Sequence, residues 1–188
     1  MSRLILNSQQ LTITTNRLCH QLIENHNDFG NTCIIGLQTR GVFLSKRIVA
    51  ELKKLAPKVA VQHGTLDITF YRDDYRRREP LAVPGKTNID FIVEDKKVIL
   101  VDDVLFTGRT IRAGLDALMA FGRPRKVELL VLIDRKFSRH LPIEPDYTGK
   151  AIDTIDSDQV KVQWKEAGEE EGVWIHSQQK KNGRPTQR

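Results

Sequence analysis

Residues 98–110, VILVDDVLFTGRT, constrain the fold more than any other stretch of the chain. Four consecutive apolar residues with no polar alternation describe a strand buried on both faces, as in a parallel sheet covered by helices. The strand, read as residues 97–101, runs into a loop over residues 102–109. A helix-period segment follows over residues 110–121, stopped by Gly122 and Pro124. A strand feeding a helix through a short polar loop is the unit from which open α/β sheets are built.

The same unit recurs earlier in the chain. Ser8 is read as the cap of a helix running to about His26, with Leu11, Leu18, Leu22 and Ile23 on one stripe. Residues 33–37 read as a buried strand, residues 38–41 as a loop, and residues 42–55 as a helix closed by Pro57. A further strand over residues 59–71 leads into a polar excursion of residues 72–88, long enough in a compact domain to suggest a functional flap. Residues 127–133 give another strand, followed by a polar loop from Asp134 and Arg135 to Pro145. Two closing strands, residues 160–164 and 173–176, flank an acidic turn over residues 166–171. The expected architecture is a single α/β domain over residues 1–179, an open and mainly parallel sheet flanked by helices, with ligands beyond the carboxyl ends of the strands.

Composition excludes several classes. The net charge is +6 and the pI about 9.4, but Lys180, Lys181, Arg184 and Arg188 supply four of those charges, leaving +2 for residues 1–179. Bulk charge therefore establishes no nucleic-acid partner, and residues 180–188 read as a basic, disordered tail. No apolar run reaches the length of a membrane span, and residues 1–8 lack the features of a secretory signal, so a cytoplasmic protein is expected. Cys19 and Cys33 have no metal-ligand spacing and are expected to be reduced and buried.

The chemistry of the central segment follows from its residue types. Amides at a helix start have no intrahelical partner, and the helix dipole adds partial positive charge there, so a phosphate is stabilised. Gly108 permits close backbone approach, and the hydroxyls of Thr107 and Thr110 add donors. Ionised carboxylates accept hydrogen bonds and offer none, which suits Asp102 and Asp103 to a vicinal sugar diol, directly or through a hydrated divalent cation. A nucleotide-triphosphate loop of the GxxxxGK[ST] type is excluded, because the first Gly and the Lys are missing.

With these residues in place, the segment resembles the 5-phosphoribosyl-1-pyrophosphate (PRPP) motif of type I phosphoribosyltransferases. More narrowly, residues 17–149, about 70% of the chain, resemble the PyrR family of pyrimidine operon attenuators and uracil phosphoribosyltransferases. The supporting segments are residues 38–41 (QTRG), residues 67–74 (DITFYRDD), the PRPP motif with Arg112-Ala113-Gly114, and Gly122-Arg123-Pro124. The resemblance implies a type I phosphoribosyltransferase fold and the reaction uracil + PRPP → UMP + pyrophosphate, with Mg²⁺ as cofactor. It implies that Thr39, Arg40 and Gly41 form the pyrophosphate loop, with Arg40 stabilising the leaving group. It further implies that Asp102 and Asp103 hold the ribose and, through water, the Mg²⁺, and that Val104, Leu105, Phe106, Thr107, Gly108, Arg109 and Thr110 complete the PRPP loop around the 5-phosphate. Tyr71, Arg72, Asp73 and Asp74 then begin a flexible flap. Purine-using relatives commonly carry an acid/base aspartate where Phe106 stands, and a phenyl ring moves no proton. A pyrimidine acceptor is expected, with base contacts near Asp134 and Arg135.

The family also binds a leader-RNA hairpin in response to uridine nucleotides such as UMP and UTP, and Arg17, His20, Thr39 and Lys150 match positions on that surface. The chain departs from the pattern at residues 134–143 (DRKFSRHLPI), a loop one residue longer, and at Glu144, where a basic residue is usual and where an acid would repel phosphate. The run Arg76-Arg77-Arg78 is read as solvated or PRPP-directed. Two alternatives stay open: a phosphoribosyltransferase for another base, such as orotate or hypoxanthine, and an RNA-binding regulator with vestigial catalysis. An exposed apolar stripe on the first helix, together with the family's habit, points to a homodimer or higher homo-oligomer.

Overall fold

The structure is a computed structural model that describes residues 2–73, 84–155 and 157–177. Asp74, the Arg76-Arg77-Arg78 run and the tail at residues 180–188 lie outside the described residues.

Five strands form a parallel sheet in the order β3-β2-β4-β5-β6: β2 (Thr32–Leu37), β3 (Gln62–Leu66), β4 (Lys97–Leu105), β5 (Lys126–Lys136) and β6 (Tyr147–Asp153). Helices cover both faces, as the unbroken apolar runs require. Helix α1 (Ser8–His26) and helix α2 (Gly41–Leu55) share one core with Ile34, Ile99, Val101 and Leu130, whereas helix α3 (Arg109–Leu118) shares the other with Ile35, Leu100, Leu129 and Val131. A second, antiparallel sheet has the order β1-β8-β7, from β1 (Ser2–Asn7), β7 (Asp158–Gln163) and β8 (Gly172–Ser177). It packs on the first turns of α2, where Arg47 lies over the buried Trp164 ring at 4.8 Å and Phe43 meets the same ring at 6.3 Å. Among the described residues no helix is long and apolar enough to cross a membrane.

Several boundaries differ from expectation. Asn7, not Ser8, caps α1: its side chain accepts from the Gln10 amide at 2.8 Å while the Gln10 side chain accepts from the Asn7 amide at 3.0 Å. This reciprocal box leaves Ser8 free to donate to Glu171. The expected strand over residues 59–71 is reduced to β3, and a 3-10 turn takes Thr69–Tyr71. Two strands had no sequence signal strong enough to read. The first, β1, is only six residues and largely exposed, and the second, β6, is an edge strand whose run YTGKAID mixes Gly and Lys with apolar residues. The stripe on α1 is not exposed either. Leu11, Leu18 and Leu22 are fully buried in the core, so they offer no surface to a second copy.

Candidate active site

The most consequential boundary shift is at β4, which continues through the acidic pair to Leu105. Asp102, in register with Val131, and Asp103 thus lie within the strand rather than on a loop. Val98 and Leu100 belong to the α3 core and Ile99 and Val101 to the α1/α2 core, but after the pair the order reverses, Val104 packing on the α1/α2 side and Leu105 on the α3 side. The alternation slips by one where the two carboxylates stand.

Both are buried at the carboxyl edge of the sheet, and the Asp103 amide donates to Asp102 Oδ1 at 2.9 Å. Burial pushes Asp102 well above the usual carboxylate range, and the adjacent Asp103 charge adds to this while Arg72 opposes it. Burial likewise pushes Asp103 up to about 6, against the pull of Arg40. Each aspartate therefore has its own arginine, Arg72 beyond β3 and Arg40 in the loop after β2. A pair of desolvated carboxylates is an incipient cation site. Among the described residues no third acidic, His or Cys side chain joins them to make a protein-only cage, so ligand oxygens and water would have to complete any shell.

The loop after β2 contains a cis peptide bond between Gln38 and Thr39. Thr39 is exposed at its tip. Gly41 brings the start of α2 against β4: a Cβ there would lie 2.4 Å from the Val101 carbonyl oxygen and 3.0 Å from the Asp102 Cα. Only glycine allows this approach, and it sets the loop beside the acidic pair. Arg40 donates to the Val162 carbonyl on β7 and lies 3.8 Å from Glu169, so the small sheet holds its guanidinium at the rim.

Beyond β4, Gly108 adopts φ +87° and caps α3 without a side-chain hydrogen bond. The Arg109 amide donates to Thr107 Oγ1 at 3.4 Å, and the Thr110 and Ile111 amides of the first turn are left for an outside acceptor, with the Thr110 hydroxyl beside them. Residues 71–73 dock on this helix start. Arg72 Nη1 donates to Thr110 Oγ1 at 3.2 Å, Arg109 pairs with Asp73, and Arg112 donates to the Tyr71 carbonyl at 3.1 Å. The returning limb is anchored as well, since Asn88 bridges Thr65 on β3 and Gln38 Nε2 donates to the Lys86 carbonyl at 2.7 Å.

Asp134 is the register partner of Leu105, which puts the end of β5 next to the loop over residues 106–108. The Arg135 guanidinium stacks on the Phe106 ring at 3.7 Å and donates to Thr154 Oγ1 at 2.8 Å and to the Ile155 carbonyl at 3.1 Å. Arg139 had no sequence signal beyond its place in a polar loop. It donates to the carbonyls of Leu105, Phe106, Arg135 and Ile143 and pairs with Asp134.

The four residues matched to an RNA surface do not all meet. Arg17, exposed on α1, donates to the carbonyls of Thr148 and Gly149, beside the exposed Lys150, and His20 is exposed one turn further along α1. Thr39 follows β2, three strands away from β6, or about 14 Å at the usual strand spacing. Glu144 is exposed.

A parallel sheet with an acidic strand end, a glycine-opened helix start and a second loop facing them across α2 defines a phosphoribosyltransferase-type site. The chain belongs to the family described as "Phosphoribosyl transferase domain", which matches residues 3–167. Within it, the chain falls with the PyrR proteins. It is 40% identical over 175 residues to "Bifunctional protein PyrR" of Elusimicrobium minutum, covering 93% of this chain and 97% of that one. It is 42% identical over 176 residues to the protein of that name from Bacillus subtilis, covering 92% and 95%. Among solved structures, a hypoxanthine phosphoribosyltransferase from Staphylococcus aureus superposes with TM-score 0.61 at 17% identity, covering 80% of this chain and 77% of that one. A hypoxanthine-guanine phosphoribosyltransferase from Bacillus anthracis gives 0.60 at 18%, covering 79% and 81%. At such identities the two structures show the shared fold alone.

Proposed function

We propose that this chain transfers the 5-phosphoribosyl group of PRPP to uracil, giving UMP and pyrophosphate, and that it also serves as a nucleotide-responsive, RNA-binding attenuator of pyrimidine genes. The observation that carries the first part is the buried Asp102–Asp103 pair near the end of β4, followed within a few residues by a helix start whose cap, Gly108, makes no side-chain hydrogen bond. In this reading residues 1–179 form one catalytic domain of a cytoplasmic protein.

As the bond between the ribose anomeric carbon and the pyrophosphate oxygen breaks, positive charge grows on the sugar and negative charge on the leaving group. The uracil N1 bonds to that carbon and its proton is released. Arg40 and the amides around Thr39 and Gly41 face the departing pyrophosphate. Asp102 and Asp103 accept from the ribose hydroxyls and would hold Mg²⁺ through water, for which their desolvation fits them. The cation would neutralise leaving-group charge. Residues 104–110 take the 5-phosphate, and Tyr71, Arg72 and Asp73 carry the flap stem over it. Catalysis is then mainly orientation and electrostatic stabilisation. Phe106, packed against Arg135, offers no acid or base to a purine ring nitrogen, which supports a pyrimidine acceptor near Asp134 and Arg135.

The test is UMP formation from PRPP and Mg²⁺ across a panel of uracil, orotate, hypoxanthine and guanine. Uracil should be the preferred acceptor, and turnover with a purine base alone would overturn the assignment. Asp102→Asn or Arg40→Ala should each lower kcat/KM by about a hundredfold or more.

The RNA part rests on the bifunctional name of the relatives and on the Arg17, His20 and Lys150 surface. Binding to a leader hairpin should strengthen with UMP or UTP, and its logarithm should fall with log salt by roughly 0.7–0.9 per phosphate contacted.

A further inference from the structure

The carbonyls of Leu105, Phe106 and Thr107 are all taken up by one short segment after β5. Arg139 Nη1 donates to the Leu105 carbonyl at 3.4 Å and also to the Phe106 carbonyl, while the amides of His140 and Leu141 donate to the Thr107 carbonyl at 3.0 and 3.2 Å. In a trans peptide the C=O and the N–H of one unit point in opposite directions. Holding these three carbonyls on the side of residues 139–141 therefore turns the N–H groups of Phe106, Thr107 and Gly108 the other way, into the cradle in front of α3.

The arginine is itself held firmly. It also donates to the Arg135 carbonyl at 2.9 Å and, through Nε, to the Ile143 carbonyl at 3.0 Å, pairs with Asp134, and keeps 21% of its side chain exposed. Ile143 and Leu141 close on Gly108, where a Cβ would come within 3.2 and 3.4 Å of them. The planar fork of an arginine can serve this many acceptors at once, and a lysine cannot.

We infer that Arg139 is a positioning residue for the phosphate loop: it orients the amides that receive the 5-phosphate without touching the substrate itself. This inference rests on the activity proposed above, and it assigns a role within a loop where the chain departs from its family's pattern.

The two ends of PRPP supply an internal control, because the 5-phosphate and the pyrophosphate engage different loops. Calorimetry on the full-length protein with Mg²⁺ would measure UMP, ribose 5-phosphate and inorganic pyrophosphate separately, for wild type, Arg139→Gln and Arg139→Lys. The Gln variant should lose about tenfold or more in affinity for UMP and ribose 5-phosphate, with the Lys variant intermediate and pyrophosphate within about twofold of wild type. The KM for PRPP should rise with the same order of variants. Millimolar guanidinium should partly restore UMP binding to Arg139→Ala. Unchanged UMP affinity in Arg139→Gln overturns the inference, as does a parallel loss of UMP and pyrophosphate binding with a lowered melting temperature, which marks general collapse. Failure of the wild type to bind UMP at all would instead sink the underlying reading, and would show before any variant is compared.

Discussion

Asp103 illustrates how a single residue sets both stability and pH response. Its folded value of about 6 lies above the ordinary aspartate value, so it favours the fold below about pH 4 and this advantage is lost as pH rises through 6. At pH 8 the buried charge should cost the ligand-free protein on the order of 3 kcal/mol. Asp103→Asn should therefore raise the melting temperature at pH 8, narrow the difference between pH 5 and pH 8, and abolish most turnover. A lowered melting temperature at pH 8 would show that the carboxylate is not desolvated. In the intact enzyme, kcat/KM for PRPP should decline as pH falls through about 6, because protonated Asp103 no longer accepts from the diol as an anion. His26 has the opposite sign. Burial, the largest cause, lowers it below its ordinary value despite the hydrogen bond to Glu128 at 3.0 Å. Its contribution is fully present above about pH 6.5 and is lost as pH falls below that. Unfolding titrations of a His26→Gln variant should show a shallower acid limb than wild type.

At the scale of elements, the close approach of α2 to β4 is the feature most sensitive to one added atom. Gly41→Ala should cost about 1–3 kcal/mol by denaturant midpoint, since backbone rather than a flexible side chain stands 2.4 Å from the new methyl. Activity should fall further than stability does, because the loop carrying Thr39 and Arg40 is displaced from the acidic pair. A fully active, equally stable variant would contradict this account of the loop. The same scale shows what the sequence makes legible. Continuous apolar runs such as residues 33–37 and 98–101 need burial on both faces, so those strands and the helices beside them can be read directly. The edge strand β6 and the small sheet's β1 gain their order from pairing with distant partners, β5 and β8, and short half-exposed segments carry no pattern that anticipates this. For the site, chain-local features were readable: the acidic pair, Gly108, and the Thr39–Gly41 loop. Arg139 was not, because an arginine in a polar loop looks the same whether it faces water or five backbone and carboxylate oxygens.

For the whole molecule, two sheets divide the work. The parallel sheet carries the acidic pair at its carboxyl edge, and the antiparallel sheet braces the loop after β2 through Val162 and Glu169 and packs Trp164 on α2. A homodimer or larger assembly remains the proposal for the intact protein. Because Leu11, Leu18 and Leu22 of α1 are committed to the core, any such assembly would have to form on another face of the molecule, which sedimentation of the full-length protein would detect as a mass above that of the monomer. The central claim is that the strand end at Asp102 and Asp103 and the helix start at Thr107–Thr110 together hold one ribose phosphate. Calorimetric titration of PRPP with Mg²⁺ into wild type and the Asp102→Asn/Asp103→Asn double variant tests it most directly. Saturable one-site binding should appear in the wild type and weaken by about a hundredfold in the double variant. Equal affinity in the two proteins would contradict the account.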